Sequence, residues 1–194
     1  MTDAYVHPTA SVEEGAQLGT ETKVWHYVHV RKGAQIGKGC SIGKDCYVDG
    51  KVTIGEGSRI QNGVSIYDGV QIRPYVFVGP HVVFTNDLYP RAGVKGWKVI
   101  DTVLHSGSAV GAGAVLRCGI EIGAFAMIGA GALVTKSVEP FTLVLGSPAT
   151  PYKKICACGK TQFDLESPDW KPVLPCCEET LIAPLLNLAK SEAR

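Results

Sequence analysis

From residue 33 to residue 72 the chain reads GAQIGKGCSIGKDCYVDGKVTIGEGSRIQNGVSIYDGVQI, and an aliphatic residue returns at every sixth position. The same phase runs without a miss through Val6, Val12, Leu18, Val24, Val30, Ile36, Ile42, Val48, Ile54, Ile60, Ile66, Ile72, Val78 and Phe84. A second run in a new phase follows at Leu104, Val110, Leu116, Ile122, Ile128 and Val134. A period of six fits neither an α-helix nor a lone half-buried strand. It is typical of short strands joined by equal corners.

These hexads predict an all-β solenoid, a parallel β-helix in which three hexads make one triangular coil. One aliphatic residue per hexad points inward, the small or β-branched residue two positions earlier turns the corner, and glycine often follows. The two runs predict six to seven coils, which at about 4.8 Å per strand layer make a prism about 30 Å tall. A β-sandwich of short strands would not keep phase over so many repeats. Spacing alone does not fix the hand of the helix.

The spacing from Phe84 to Leu104 is not a multiple of six, so we expect residues 85–103 to leave the prism as an extruded loop. Its polar and aromatic residues suit a loop that covers a ligand. The alternative is an insertion without a functional role. We assign residues 1–151 to the β-helix domain and 152–194 to a cysteine-containing appendage. The appendage is expected to carry one short helix near residues 178–193, with Pro184 in its first turn.

Composition and charge argue against several classes of function. The net charge of +1 supplies no basic stripe for a phosphate backbone, which argues against nucleic acid. No apolar run approaches the roughly 20 residues of a membrane span, and the first residues lack a signal-peptide pattern. Seven cysteines without a secretion signal fit a reducing compartment. We therefore expect a cytoplasmic protein with small-molecule partners and no membrane association.

Four segments carry a family resemblance: VWHYVHV (24–30), RIQNGVSIYDGV (59–70), GPHVVFTNDLYPR (79–91) and LGSPATPYKK (145–154). With the hexads, they resemble the hexapeptide-repeat acyltransferases, and among these the 3-N-acetyltransferases that act on UDP- or dTDP-linked 3-amino sugars in O-antigen and other surface-glycan synthesis. The resemblance implies a left-handed β-helix, a homotrimer, and acetyl-CoA as co-substrate. It also implies that the nucleotide sugar and coenzyme A meet in a groove between neighbouring subunits.

The repeat also predicts where polar residues meet. Because residues 18 apart stack, His81 should lie above Gly63, and Asn86 above Asp68. Asn86 is the first candidate to contact the sugar amine, since an amide both accepts and donates. His81 is either a general base or a hydrogen-bonding contact, in which case the departing thiolate of coenzyme A takes the proton.

The remaining substrate contacts are assigned by chemistry. Asp68 and Asp87 are candidates to hold ring hydroxyls. The predicted nucleotide contacts are Gln61, Asn62, Tyr67 and Arg91, with Arg91 gripping the diphosphate. For coenzyme A, a narrow pantetheine needs backbone donors beside small residues, and the candidates are Ala112, Gly113, Ala130 and Gly131. Three basic residues could meet its phosphates: Lys136, Lys153 and Lys154.

The appendage carries Cys156, Cys158, Cys176 and Cys177, enough ligands for a tetrahedral zinc site. Adjacent Cys176 and Cys177 are awkward ligands for one ion, so free thiols are the alternative. The other three cysteines, Cys40, Cys46 and Cys118, fall within the hexads and are expected in the core.

Other functions remain open at this point. A γ-type carbonic anhydrase shares the fold but needs a close histidine pair and a third histidine on zinc, and here only His26 and His29 are close in sequence. A non-enzymatic β-helical scaffold and a transferase that uses an acyl carrier protein are the remaining alternatives.

Overall fold

The computed structural model describes residues 3–93 and 95–192, and consists of very short strands with two helices at the C-terminal end. The strands are β1 (Tyr5–Val6), β2 (Ser11–Val12), β3 (Gln17–Leu18), β4 (Lys23–Val24), β5 (His29–Val30), β6 (Gln35–Ile36), β7 (Ser41–Ile42), β8 (Tyr47–Val48), β9 (Thr53–Ile54), β10 (Arg59–Ile60), β11 (Ser65–Ile66), β12 (Val70–Ile72), β13 (Phe77–Val78), β14 (Val83–Phe84), β15 (Thr102–Leu104), β16 (Ala109–Val110), β17 (Val115–Leu116), β18 (Glu121–Ile122), β19 (Met127–Ile128), β20 (Leu133–Val134), β21 (Thr142–Gly146), β22 (Ala149–Ile155) and β23 (Gln162–Phe163). The helices are α1 (Pro175–Thr180) and α2 (Ala183–Glu192).

The strands stack into three sheets, and each strand from β1 to β17 pairs in parallel with the strand three positions later in the chain. Sheet A contains ten strands, sheet B seven and sheet C six. Ser41 pairs with Arg59, and Arg59 with Phe77, which is the predicted spacing of 18 residues. The strands β1 to β20 are the twenty predicted hexads, so the prediction of a left-handed parallel β-helix is confirmed.

The inward residues form the core, and they are fully buried from the second coil onward. Val6 is 38% exposed, Val12 and Leu18 are partly buried, and Val24 is 0% exposed. The corner residues two positions earlier are buried as well, and they form their own column. Thr22 Oγ1, Cys40 Sγ and Ser58 Oγ each donate to a carbonyl in the next coil, at 2.7, 3.1 and 3.1 Å. Cys40, Cys46 and Cys118 are all buried, as predicted.

The extruded loop leaves and returns at one corner, so it does not disturb the register. Beyond it Phe77 pairs with Ala109, 32 residues later, and the ladder continues. The backbone N–H of Ile100 donates to the carbonyl of Asn86 (3.1 Å), which closes the base of the loop. β15 begins at Thr102, one residue before the predicted end of the loop at residue 103, because the Thr102 N–H already donates to the carbonyl of Gly69 (2.9 Å).

The C-terminal end of the prism changes direction. β21 stacks on β19 in parallel, but β22 pairs with β21 antiparallel, and β23 pairs with β22. The predicted boundary between residues 151 and 152 falls inside β22. The appendage packs its Trp170 ring against Phe141, which stacks on Phe125 (ring centroids 5.7 and 5.3 Å apart).

The prediction of one appendage helix is wrong, because the structure has two. α1 ends at Thr180, Leu181 is extended, and α2 begins at Ala183. Pro184 explains the break, since its ring would clash with the carbonyl four residues earlier in a continuous helix. Its position at the start of α2 is the one where proline is tolerated. Within residues 3–93 and 95–192, neither helix has the length and apolar character that crossing a bilayer requires.

Candidate active site

The predicted site residues gather at the two corners that border sheet B. We call the turns from sheet A to sheet B the first corner (residues 25–28, 43–46, 61–64, 79–82, 111–114 and 129–132). The turns from sheet B to sheet C, including the loop, are the second corner (residues 49–52, 67–70, 85–101, 117–120 and 135–137). The first corner holds Gln61, Asn62, His81, Ala112, Gly113, Ala130 and Gly131. The second corner holds Tyr67, Asp68, Asn86, Asp87, Arg91 and Lys136.

His81 stands at the first corner in a left-handed backbone conformation, with φ of 56°. Its N–H donates to the carbonyl of Asn62 (3.0 Å), and its exposed imidazole lies over Gly63, as the repeat predicted. A Cβ at Gly63 would lie only 2.5 Å from Nδ1 of His81. Glycine at that position therefore makes the room that the imidazole occupies.

Above His81 the same column becomes a strip without side chains. Gly113 donates to the carbonyl of Pro80 (2.9 Å), and Gly131 donates to that of Ala112 (2.8 Å). Both glycines have positive φ, 66° and 68°, and no atom lies within 4 Å of where a Cβ would stand. The strip is exposed, narrow and lined by peptide groups. Its lower end is the imidazole of His81.

Gln61 and Asn62 lie lower on the first corner. With Trp25 and His26 they line a shallow cavity of about 250 Å³. The Asn62 Oδ1 accepts from the backbone N–H of Lys44 (3.0 Å), so this oxygen already has a partner within the prism.

At the second corner, Asn86, Asp87 and Arg91 line one small cavity of about 210 Å³. Asn86 Nδ2 donates to the carbonyl of Asp68 (3.2 Å), which confirms the predicted stacking of these two residues. The fourth lining residue is Trp97, which sequence analysis treated only as part of the loop. No periodic signal marks it, because the loop lies outside the hexads.

Asp68 and Tyr67 lie on the same corner, one coil below Asn86. The Asp68 Oδ2 lies 3.3 Å from Nζ of Lys51, an ion pair near the surface. The Tyr67 ring lies 6.1 Å from that of Tyr47, and 39% of Tyr67 is exposed.

The three predicted phosphate lysines are not equivalent. Lys136 and Lys154 line a cavity of about 510 Å³ between the last coil and β22. Lys154 Nζ also donates to Thr142 Oγ1 (3.0 Å). Lys153 instead pairs with Asp164 at 2.5 Å, on the opposite face of β22, and this contact raises the pKa of the lysine. The geometry leaves two of the three lysines beside the cavity.

Several other titratable groups of the described chain are buried or already paired. Burial raises the pKa of the Cys46 thiol to about 11, and it also raises that of Cys40, so neither is a nucleophile at neutral pH. His29 pairs with Glu13 and His105 with Glu121, both at 2.8 Å. In the described part of the chain, the one group of three or more side chains suited to a metal is the four appendage cysteines. The histidine set of a γ-type carbonic anhydrase is not assembled there.

The candidate residues lie on a parallel prism of hexad repeats, with His81 and two exposed glycines at one corner and the extruded loop at the next. Comparisons with known proteins identify the family. The family model "Bacterial transferase hexapeptide (six repeats)" matches residues 33–67 and 51–86, and "Hexapeptide repeat of succinyl-transferase" matches residues 106–136.

Similar proteins include the dTDP-3-amino-3,6-dideoxy-alpha-D-galactopyranose 3-N-acetyltransferase of Aneurinibacillus thermoaerophilus. It is 46% identical over 154 residues, which are 79% of this chain and 80% of that protein. A chloramphenicol acetyltransferase of Escherichia coli is 44% identical over 68 residues, 35% of this chain and 29% of that one. The structure is similar to a hexapeptide-repeat acetyltransferase of Vibrio cholerae complexed with acetyl coenzyme A (25% identity, 63% of this chain, 70% of that chain, TM-score 0.56).

The chain belongs to the hexapeptide-repeat acetyltransferases. It is therefore an acyltransferase, and the interpretation as a non-enzymatic scaffold is wrong.

The bare strip at the first corner gives a direct test. Gly131→Asn should raise the KM for acetyl-CoA about tenfold or more, because the added side chain occupies the strip while asparagine tolerates the left-handed backbone. Steady-state kinetics with varied acetyl-CoA measure it. The matched control is Gly39→Asn on the corner between sheets C and A. Gly39 has nearly the same φ as Gly131 (66° and 68°), and no atom lies within 4 Å of a Cβ at either position. An equal KM increase in both variants would remove the strip from the site.

Proposed function

We propose that the chain transfers the acetyl group of acetyl-CoA to the amine of a nucleotide-linked amino sugar, with a 3-amino sugar as the favoured acceptor. The observation that carries this proposal is the similarity to a dTDP-3-amino sugar 3-N-acetyltransferase along four fifths of both chains. The similarity to a structure complexed with acetyl coenzyme A supports the donor. Surface-glycan synthesis such as that of O-antigen is the corresponding pathway class.

In this reaction the neutral amine attacks the thioester carbonyl, the new C–N bond forms, and the C–S bond breaks. The proton leaves the nitrogen and the sulfur departs as the thiol of coenzyme A. The reaction therefore requires that the amine and the carbonyl be aligned, and that a group accept the proton released by the nitrogen. We assign the role of proton acceptor to His81, because its exposed imidazole stands where the strip ends. The general-base role requires the neutral imidazole.

The second corner supplies the acceptor site. Asn86 contacts the amine or its neighbouring hydroxyl, Asp87 holds ring hydroxyls, and the guanidinium of Arg91 grips the diphosphate. Trp97 in the same cavity offers a flat ring to the pyrimidine base, and base–aromatic stacking contributes roughly 1–3 kcal/mol. Gln61, Asn62 and Tyr67 remain candidates for the nucleotide on the adjoining surfaces.

These two halves stand at opposite ends of β14, with His81 before it and Asn86 after it. We propose a homotrimer as the arrangement that completes the site. A threefold ring uses heterologous interfaces, which join two different surfaces of the chain, and we propose that these are the first corner of one chain and the second corner of the next. The acetyl group carried on one chain's strip then meets the sugar bound by the neighbour's loop.

The C-terminal end of the prism, where the phosphates of coenzyme A would lie, also supports the proposal. Coenzyme A laid along the strip from His81 past Gly113 and Gly131 points toward the last coils. Lys136 and Lys154 stand there beside the cavity at the end of the prism and would meet its phosphates. Seven free cysteines fit a reducing compartment, so we place the reaction in the cytoplasm.

A thiol-release assay with acetyl-CoA against UDP- and dTDP-linked 3-amino and 4-amino sugars tests the function. We expect turnover with a dTDP- or UDP-linked 3-amino sugar, and weaker turnover with the 4-amino isomers because the amine is displaced from the thioester. Chloramphenicol serves as an unrelated acceptor. Turnover with none of the sugars, in protein that binds acetyl-CoA, would overturn the acceptor class.

Asn86→Ala should lower kcat/KM for the 3-amino sugar by about tenfold or more, since it removes a contact at the amine. Asn86 also holds the loop base, so the control is Thr85→Val. That change removes the neighbouring hydrogen bond from Cys118 N–H to Thr85 Oγ1 (2.9 Å) and leaves the cavity intact. Equal losses in both variants would reduce Asn86 to a structural role.

His81→Asn keeps a residue that tolerates positive φ but removes the imidazole that would accept the proton. With both substrates saturating, kcat should fall by about 10²-fold, because the amine then lacks its proton acceptor. An unchanged kcat would instead assign the proton to the departing thiolate.

A further inference from the structure

The appendage brings four cysteines from two distant segments to one point. Cys156 and Cys158 follow β22, Cys176 and Cys177 open α1, and all four Sγ atoms lie within 4.8 Å of one another. The Sγ of Cys156 lies 3.5 Å from that of Cys158 and 3.8 Å from that of Cys176, and the Cys158 to Cys176 separation is 3.6 Å. The fold therefore assembles a thiol cluster without a covalent link.

These sulfur–sulfur separations match a tetrahedral metal site and not a disulfide. A disulfide would join two sulfurs at about 2.05 Å, so no pair here is bonded. A tetrahedral zinc with four thiolates at about 2.3 Å places its sulfurs about 3.8 Å apart. The three measured edges are within about 0.3 Å of that geometry. Four uncharged thiols alone gain little from such contact, because S–H is a weak donor.

One backbone group donates to the cluster. The N–H of Thr161 donates to the Cys156 sulfur (3.4 Å). Gly159 makes this turn possible with φ of 75°, and a Cβ there would lie 2.6 Å from Cε of Met127 on β19. Peptide donors aimed at sulfur are the outer-shell contacts that orient and stabilise thiolate ligands.

We propose that Cys156, Cys158, Cys176 and Cys177 bind one zinc ion as thiolates, in a structural site. All four positions of a tetrahedron are taken by protein, which leaves none for substrate. Cys156 and Cys177 are fully buried, so the site is closed on its inner side. Sequence spacing made the adjacent Cys176 and Cys177 awkward partners, but the start of α1 directs both sulfurs to the cluster.

The appendage needs such a link because its own core is thin. Between residues 156 and 192 the fully buried apolar side chains are Cys156, Cys177 and Ala189. Units below about 40 residues usually require metals, disulfides or association to fold. Zinc would tie α1 to the end of β22 and hold Trp170 against Phe141 on the last coil. The ion thus fastens the end of the solenoid, independently of which sugar is acetylated.

Zinc content of protein purified without chelators is the first measurement, and we expect about one zinc per chain. Cys158→Ser and Cys176→Ser should each retain less than about a tenth of that. The matched control is Cys40→Ser, a buried thiol outside the cluster whose hydrogen bond a hydroxyl can make, as Ser58 does one coil later. It should keep the full zinc content.

Exchange with Co²⁺ keeps the test decisive if the serine variants fold poorly. In the wild-type chain, Co²⁺ should give the visible ligand-field and sulfur charge-transfer bands of a tetrahedral tetrathiolate. Removal of the metal with a thiol-binding mercurial should change Trp170 fluorescence and open the 160–171 segment to trypsin, while the prism stays folded by circular dichroism. Wild-type protein with less than about a tenth of an equivalent of zinc and no cobalt bands would overturn the proposal.

Discussion

Every position of interest depends on the parallel backbone ladder that holds residues 18 apart in register. The ladder converts a period in sequence into columns in space, so that Asn62, His81, Gly113 and Gly131 share one corner although 69 residues separate the first from the last. It also restricts where the chain can grow. The loop is tolerated because it begins and ends at one corner, where the backbone N–H of Ile100 donates to the carbonyl of Asn86. The strands after the loop therefore continue the parallel pairing of the strands before it.

Within a column of stacked corner residues, the residue type at each position decides which groups the corner presents at the surface. At the left-handed position of the first corner, glycine gives the bare strip at Gly113 and Gly131, and His81 gives a projecting imidazole. The left-handed backbone is not itself a mark of function, because Tyr27 and Asp45 adopt it in earlier coils of the same column. What distinguishes His81 is its place at the end of the strip. Position along the column therefore carries more information than conformation.

Sequence reasoning reached the fold and the vertical neighbours of each residue, since both follow from counting hexads. It also stacked His81 on Gly63 and Asn86 on Asp68, because residues 18 apart occupy the same corner of successive coils. Trp97 lies in the non-periodic loop and carried no signal. The difference between Lys153 and Lys154 could have been foreseen, since neighbouring residues of a strand point to opposite faces.

Burial of the inward-facing core residues increases along the axis of the prism, so the two ends of the solenoid differ. In the described chain, the first coil holds partly exposed Val6, Val12 and Leu18, whereas the last coil is covered by the antiparallel β22 and the appendage. In a solenoid each coil gains stability only from its neighbours, so opening spreads from the weaker end. Amide hydrogen exchange should therefore be graded along the axis, fastest near β1, and the candidate site residues midway would lose their support before the C-terminal coils unravel.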